Sequence, residues 1–276
     1  MNSNDIMFPV HEFYLDIRIN GNITGTNHKS IFRYMSNGTV RSLAVVKNSY
    51  KVIQNKELFD AVDVAVFDAV GQEKFATHRA KSYTAFDGAM CVREYAFPDI
   101  SYRTPEGYKA VFRIIAINSF GKTAIKLYFG AIDMFCANGM ILGSFESVYK
   151  KHTKGLTIAN IVGPIANAVK SFVESEKMVK LMRSTYVTFN EVAEFLEENF
   201  SKSLATKLLH GFEQNAVNRG STAWGLYATL TEYATHENFY PVKKGNSDHK
   251  NATMIKREEE IQKLIVKFMD KKQKEH

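Results

Sequence analysis

Apolar and polar positions alternate through much of the first half of the chain, and apolar positions recur at helical spacing through much of the second. The clearest alternation lies in 108–142. Two arms there, 109–117 and 122–130, are rich in β-branched and aromatic residues and flank Asn118-Ser119-Phe120-Gly121, which has the composition of a turn. With Ile117 set against Lys122, directly opposed residues share a face. Lys109, Arg113, Lys122, Lys126 and Tyr128 then sort to one face, with Ile115 and Ile117 between them. Ala110, Phe112, Ile114, Ala116, Ile125, Leu127 and Phe129 sort to the other. A slip of one residue would undo the sorting, so the pattern specifies its own register. It predicts a hairpin with one core face and one basic face. Solvated lysines satisfy the same pattern, so the residues alone leave the purpose of the basic face open.

The same reading places the other elements. An extended piece over 13–19 lies in a polar, Asn-rich first segment. The runs 31–35 and 41–46 flank Ser36-Asn37-Gly38, a strong hairpin signal. Tyr50–Ile53 reads as a possible further strand, and Asn55 as the N-cap of a helix that Gly71 ends. Strands are expected over 77–85 and 89–97, and a tight turn at Asn138-Gly139. Later, a long helix over 158–182 is broken near its start by Pro164, and Thr188-x-x-Glu191 forms a capping box for a helix over 189–200. Helices over 203–215, 224–233 and 256–272 follow, the last with Ile261, Leu264, Ile265 and Phe268 on one stripe. Strands followed by helices predict an α+β fold: an antiparallel sheet in the N-terminal half, packed on helices, and a largely helical C-terminal half. The expected organisation is an extension over 1–30, a β-rich core over 31–155, its helical part over 156–240, and a linker with a charged final helix over 241–276.

Composition narrows the function only slightly. An apolar fraction of 45% in 276 residues supports a sizeable core, and a net charge of +7 with a pI near 9.2 suits a polyanionic partner. Cys91 and Cys136 are too few for a four-thiolate zinc site and read as small buried hydrophobes, which suits a reducing, cytoplasmic compartment. The N-terminus lacks the basic and apolar segments of a signal peptide, and no apolar run approaches the roughly 18 residues of a membrane span.

Catalytic signatures are sparse. There is no phosphate-loop, dinucleotide-binding, nucleophile-elbow or H-E-x-x-H pattern, and the eight histidines show no metal-ligand spacing. Asp99 with Glu106-x-x-Lys109 distantly suggests a metal nuclease, yet the same residues suit an ordinary loop better. No cofactor or metal is expected. Basic and aromatic residues interleave more tellingly: Arg79, Lys81 and Tyr83 on one strand, Arg93 and Tyr95 on the next, Tyr102-Arg103 in the loop beyond. Single strands are bound by that pairing, cations following phosphates while rings stack on bases. The loop carrying Lys150, Lys151, His152 and Lys154 offers four potential cations for a phosphate.

Three segments together carry a family resemblance: SLAVVKNSYKVIQNKELF, IAINSFGKTAIKLYFG with FCANGM and HTKG after it, and TAWGLYATLTEYATH. They resemble the phage- and plasmid-borne family called domain of unknown function 932. The family's Asn-Ser-His-Asp-Gly turn is here reduced to Asn118-Ser119-Phe120-Gly121, and the resemblance transfers no catalytic residue. It implies a mobile-element origin. The element order is also similar to the core of single-strand annealing recombinases of the phage Red-beta type, which implies oligomers that hold single strands in a basic groove.

The sequence therefore points to a non-enzymatic, oligomeric protein of a phage that binds or anneals single-stranded nucleic acid, DNA favoured, without a membrane. Arg79, Lys81, Arg93, Lys109, Arg113, Lys122, Lys126, Lys150, Lys151 and Lys154 would supply cations, and Tyr83, Tyr95 and Tyr128 stacking surfaces. The alternative is a protein-interaction factor that inhibits or redirects host or defence machinery.

Overall fold

The structure, a computed structural model, describes residues 6–103, 109–133, 138–140, 148–236 and 247–274. The fold is α+β, with antiparallel sheets in the N-terminal half and mostly helices in the C-terminal half. The chain divides into two compact units. One comprises Met1–Pro98, Arg113–Phe129 and Glu146–Val169; the other comprises Asp99–Phe112, Gly130–Phe145 and Lys170–His276.

The first unit opens with a three-stranded sheet in the order β1 (His11–Ile19), β2 (Asn22–Tyr34), β3 (Val40–Lys47). Asn20-Gly21 joins β1 to β2 with both φ angles positive, at 48° and 83°, in the two-residue loop whose twist matches paired strands. One face of this sheet builds a core: Ile31 and Leu43 pack with Val10, Ala89 and Phe120. Register puts His11, Phe13, Phe32, Tyr34, Val40 and Val45 on the other face.

Helix α1 (Asn55–Val70) buries Leu58, Phe59, Val62 and Val66 and ends at Gly71 as the sequence predicts. Asn55 is not its cap. Gln54 occupies that position, and the Asn55 side chain turns inward instead. A short α2 (Gln72–Ala76) leads to a second sheet in the order β4 (Arg79–Ala85), β5 (Met90–Arg103), β6 (Lys109–Ser119), β7 (Ile125–Asp133), β8 (Asn138–Met140). Strand β9 (Val148–Lys150) pairs with the start of β7 and β8 with its end. Asn138-Gly139 is thus in a strand and not a turn: Gly139 pairs with Ile132. Residues 51–54 form no strand, although Lys51 N–H donates to the His152 carbonyl.

The second unit contains most of the helices that follow α3 (Ala159–Val162). Pro164 separates α3 from α4 (Ile165–Ser184) as expected, since a proline removes a donor and crowds the preceding turn. Phe172 of α4 packs against Phe112 at 4.8 Å and Tyr102 at 5.4 Å, ring centre to ring centre. Tyr102 is therefore on the lengthened β5 and held by packing, not in a free loop. Helix α5 (Phe189–Asn199) carries the complete capping box of Thr188 and Glu191. It packs on α6 (Lys202–Arg219), α6 on α7 (Ala223–His236) and α7 on α8 (Ser247–Lys274). Ile261, Ile265 and Phe268 are buried along α8, and Leu264 is half-buried.

Candidate nucleic-acid interface

Residues 110–119 of β6 are buried without interruption, so both faces of this strand are covered. That overturns the open basic face on this arm. Phe112, Ile114, Ile125 and Leu127 are buried as the pattern predicts. Val111, Ile115, Ile117 and Arg113 are buried as well. The Arg113 guanidinium donates from Nε to Glu94 Oε1 at 3.0 Å, with the side chains 4% and 11% exposed. A lysine or arginine in an alternating pattern reads as solvent-facing, but a carboxylate on the neighbouring strand lets the charge go inside.

The same correction applies to β5. Arg93 Nη2 pairs with Asp63 of α1 at 3.1 Å. The Tyr95 hydroxyl, on a fully buried ring, donates to the same carboxylate, and burial followed by the Asp63 charge pushes the phenol's pKa up. Tyr128 is buried too. Neither tyrosine offers a stacking surface. Arg79 and Lys81 are exposed on β4, an end strand of the sheet order, where charge discourages pairing with another chain, and Tyr83 is half-buried. Lys109 is exposed in the other unit. Glu106 and Cys136 lie outside the described residues.

Two of the remaining cations, Lys122 and Lys151, meet at the turn after β6. Asn118 is buried at the strand end, and its Nδ2 donates to the Ile53 carbonyl and to Asn55 Oδ1, both at 2.9 Å. Asn55 Nδ2 faces Cys91 Sγ at 3.4 Å. Phe120 fills the core and its N–H donates to the Ala89 carbonyl at 2.7 Å. Gly121 has φ +70°, and a Cβ there would come within 2.6 Å of Ala44 Cβ, so only glycine fits without movement. The Tyr50 hydroxyl clamps the turn, donating to the Ser119 carbonyl at 2.8 Å and accepting from Gly121 N–H at 3.3 Å. Its ring stacks on His152, 4.4 Å between centres and 12° between planes. His152 is buried, not the loop cation the sequence suggests. Its Nδ1 lies 2.9 Å from the Lys51 carbonyl, which can only accept, so Nδ1 carries the proton. Burial lowers its pKa, opposed by the carbonyls of Lys51 and Ser119.

Above this clamp opens a cleft of about 440 Å³. Lys47, Lys122 and Lys151 line it together with Tyr50, Tyr149 and His152, and no carboxylate does. Tyr149 is 54% exposed and pairs across the strands with Lys126, whose Nζ lies 5.6 Å from the tyrosine ring centre. Lys150 and Lys154 are exposed nearby in sequence. A second cleft, between α5 and α8, alternates Glu191, Glu194 and Glu198 with Lys267, Lys271 and Lys272 and so neutralises itself. Of the predicted cations, the structure brings Lys122 and Lys151 together and sets Lys126 beside them. Lys47, Tyr50 and Tyr149 were not legible as site residues, because what assembles them is pairing between distant segments. Among the described residues no cluster of metal-ligating side chains occurs, and no helix is long and apolar enough to cross a membrane.

The model of a family described as a domain of unknown function, DUF932, matches residues 42–264, and the chain belongs to that family. The matched span includes the turn, its clamp and all three cleft lysines. No curated protein and no solved structure gives a significant match.

Proposed function

We propose that this protein binds single-stranded nucleic acid, DNA foremost, by gripping the phosphate backbone in the cleft of Lys47, Lys122 and Lys151. The observation that carries the reading is three lysines around one open cleft free of carboxylates, with an exposed tyrosine at its wall. Ammonium groups on flexible stems suit sequence-independent phosphate contact, and Tyr149 supplies a ring that every base can stack on. The Tyr50 clamp and the Phe120–Ala89 hydrogen bond hold the turn that carries Lys122, whose ammonium lies 5.6 Å from the centre of the Phe86 ring. The setting is a phage or other mobile element, as the resemblance implies, and strand annealing by an oligomer is the activity that the element order suggests.

Fluorescence anisotropy with a labelled oligothymidylate tests this. Affinity of the wild type should fall linearly with salt on logarithmic axes, at a slope of about −0.7 per phosphate neutralised. Lys122→Ala with Lys151→Ala should reduce the slope by roughly 1.4 while leaving the melting temperature unchanged. Absence of any binding at low salt would overturn the reading and favour an acidic protein as the partner of these lysines.

A further inference from the structure

The outward face of the three-stranded sheet has no counterpart in the cleft reading. Phe13 is 63% exposed and Tyr34 57%, and both sit in regular, paired strands where burial would be expected of such rings. His11, Phe32 and Tyr34 form one aromatic cluster, with ring centres 5.2–5.7 Å apart. Cross-strand register gives this face serines and valines between the rings. Ser30 and Ser42 meet at 3.4 Å, and Val45 lies opposite Ser30. The acidic residue Glu12 is on the opposite face, opposite Ile31 and paired with Lys29 at 2.9 Å. No carboxylate occurs on the aromatic face over the paired span 28–34 of β2 and its partners. At one end of that span stands Lys47, opposite His28, and Lys47 also lines the basic cleft.

We propose that this face is the base-stacking platform of the same single-strand site, so that a strand whose phosphates lie in the cleft passes Lys47 and lays successive bases over the rings of the sheet. The inference rests on the cleft reading and adds to it where the bases go. Three features select a single strand. The rings are exposed and grouped, which suits unpaired bases whose faces are free; a duplex hides those faces. Over the paired span 28–34 the face carries hydroxyls and the Lys47 ammonium but no carboxylate, which suits a polyanion. Lys47 belongs both to this face, at the end of the span away from Tyr34, and to the lysine cleft.

The test compares wild type, Phe13→Ala with Tyr34→Ala, and Lys122→Ala with Lys151→Ala, all as the full chain, in anisotropy titrations with oligothymidylate over a range of salt. The ring variant should lose at least about tenfold in affinity with an unchanged salt slope, since stacking releases no counterions. Quenching of tyrosine fluorescence on binding should diminish in the same variant. A ring variant that binds like wild type while the lysine variant is weakened refutes the platform and leaves the cleft standing. A ring variant that is weakened while the lysine variant is not supports the platform and removes the cleft. If wild type binds no oligonucleotide, both fall. A wild-type dimer in sedimentation that the ring variant converts to a monomer, with nucleic-acid binding unchanged, overturns the platform in favour of a second copy of the chain. Both rings are solvent-exposed, so the variant should fold; circular dichroism and an unshifted melting temperature verify it.

Discussion

Replacing Arg113 with alanine distinguishes a structural charge from a binding one. Arg113 Nε is 3.0 Å from Glu94 Oε1, and the two side chains are 4% and 11% exposed. Deleting the arginine strands a carboxylate in a region from which water is excluded. Breaking a buried pair from one side costs about 3–5 kcal/mol, against a typical total stability of about 5–15 kcal/mol. With a urea dependence of about 2 kcal/mol per molar, the unfolding midpoint should fall by roughly 2 M. Glu94→Ala should also destabilise, because it takes a buried carboxylate away from the guanidinium. Arg113→Met combined with Glu94→Leu removes both charges and fills the space, so its stability should return to within about 1–2 kcal/mol of wild type. Urea unfolding followed by circular dichroism measures all four proteins. Under conditions where Arg113→Ala is folded, its salt slope for oligonucleotide binding should equal that of wild type. A variant within about 1 kcal/mol of wild type that nevertheless shows a reduced slope would refute the burial argument and return Arg113 to the binding surface.

Gly121→Ala should destabilise by about 1–2 kcal/mol from its left-handed backbone alone, and further by pushing Ala44 of β3 away; an unchanged melting temperature would contradict the packing. His152 has a pKa held below its ordinary 6.5, so the unfolded chain takes up the proton first. Its contribution is therefore present above about pH 6.5 and is lost as the pH falls through the acid side of neutrality, a trend that His152→Gln should flatten in urea midpoints measured against pH. A wild type whose midpoint does not respond to His152 substitution over that range would count against the buried neutral imidazole. Thr188→Ala should cost about 1 kcal/mol by removing the capping box of α5. Glu191 is held at about 2, first by the hydrogen bond from Lys272 and then by Thr188, so its contribution is present above pH 4.5 and declines as pH falls toward 2. Lys272→Ala should make acid unfolding depend less on this carboxylate, and an identical acid profile in the variant would exclude the contact.

The family was legible from three short segments, and the fold class from the change of period along the chain. Local signals also placed the Asn37-Gly38 hairpin, the Gly71 stop, the Pro164 break and the Thr188 box, because each depends on residues a few positions apart. The hairpin at Asn20-Gly21 was as legible by its dipeptide as the one at Asn37-Gly38, but the polar composition around it obscured the signal.

Alternation along β6 and β7 identified Phe112, Ile114, Ile125 and Leu127 as core residues, and all four are buried. It could not decide whether the intervening positions meet water. That depended on Glu94 arriving beside Arg113 and on α1 presenting Asp63 to Arg93 and Tyr95, contacts made across 19 and 32 positions for the hydrogen bonds Arg113–Glu94 and Tyr95–Asp63. The cleft is likewise a tertiary product: Tyr50 and His152 are 102 positions apart by number yet stack face to face, and Lys47, Lys122 and Lys151 share a wall only because that stack and the Gly121 turn hold three segments together. Periodicity reports how a segment divides into faces, whereas which faces are covered, and which charges are left over to meet a partner, is settled by long-range packing that no local pattern encodes.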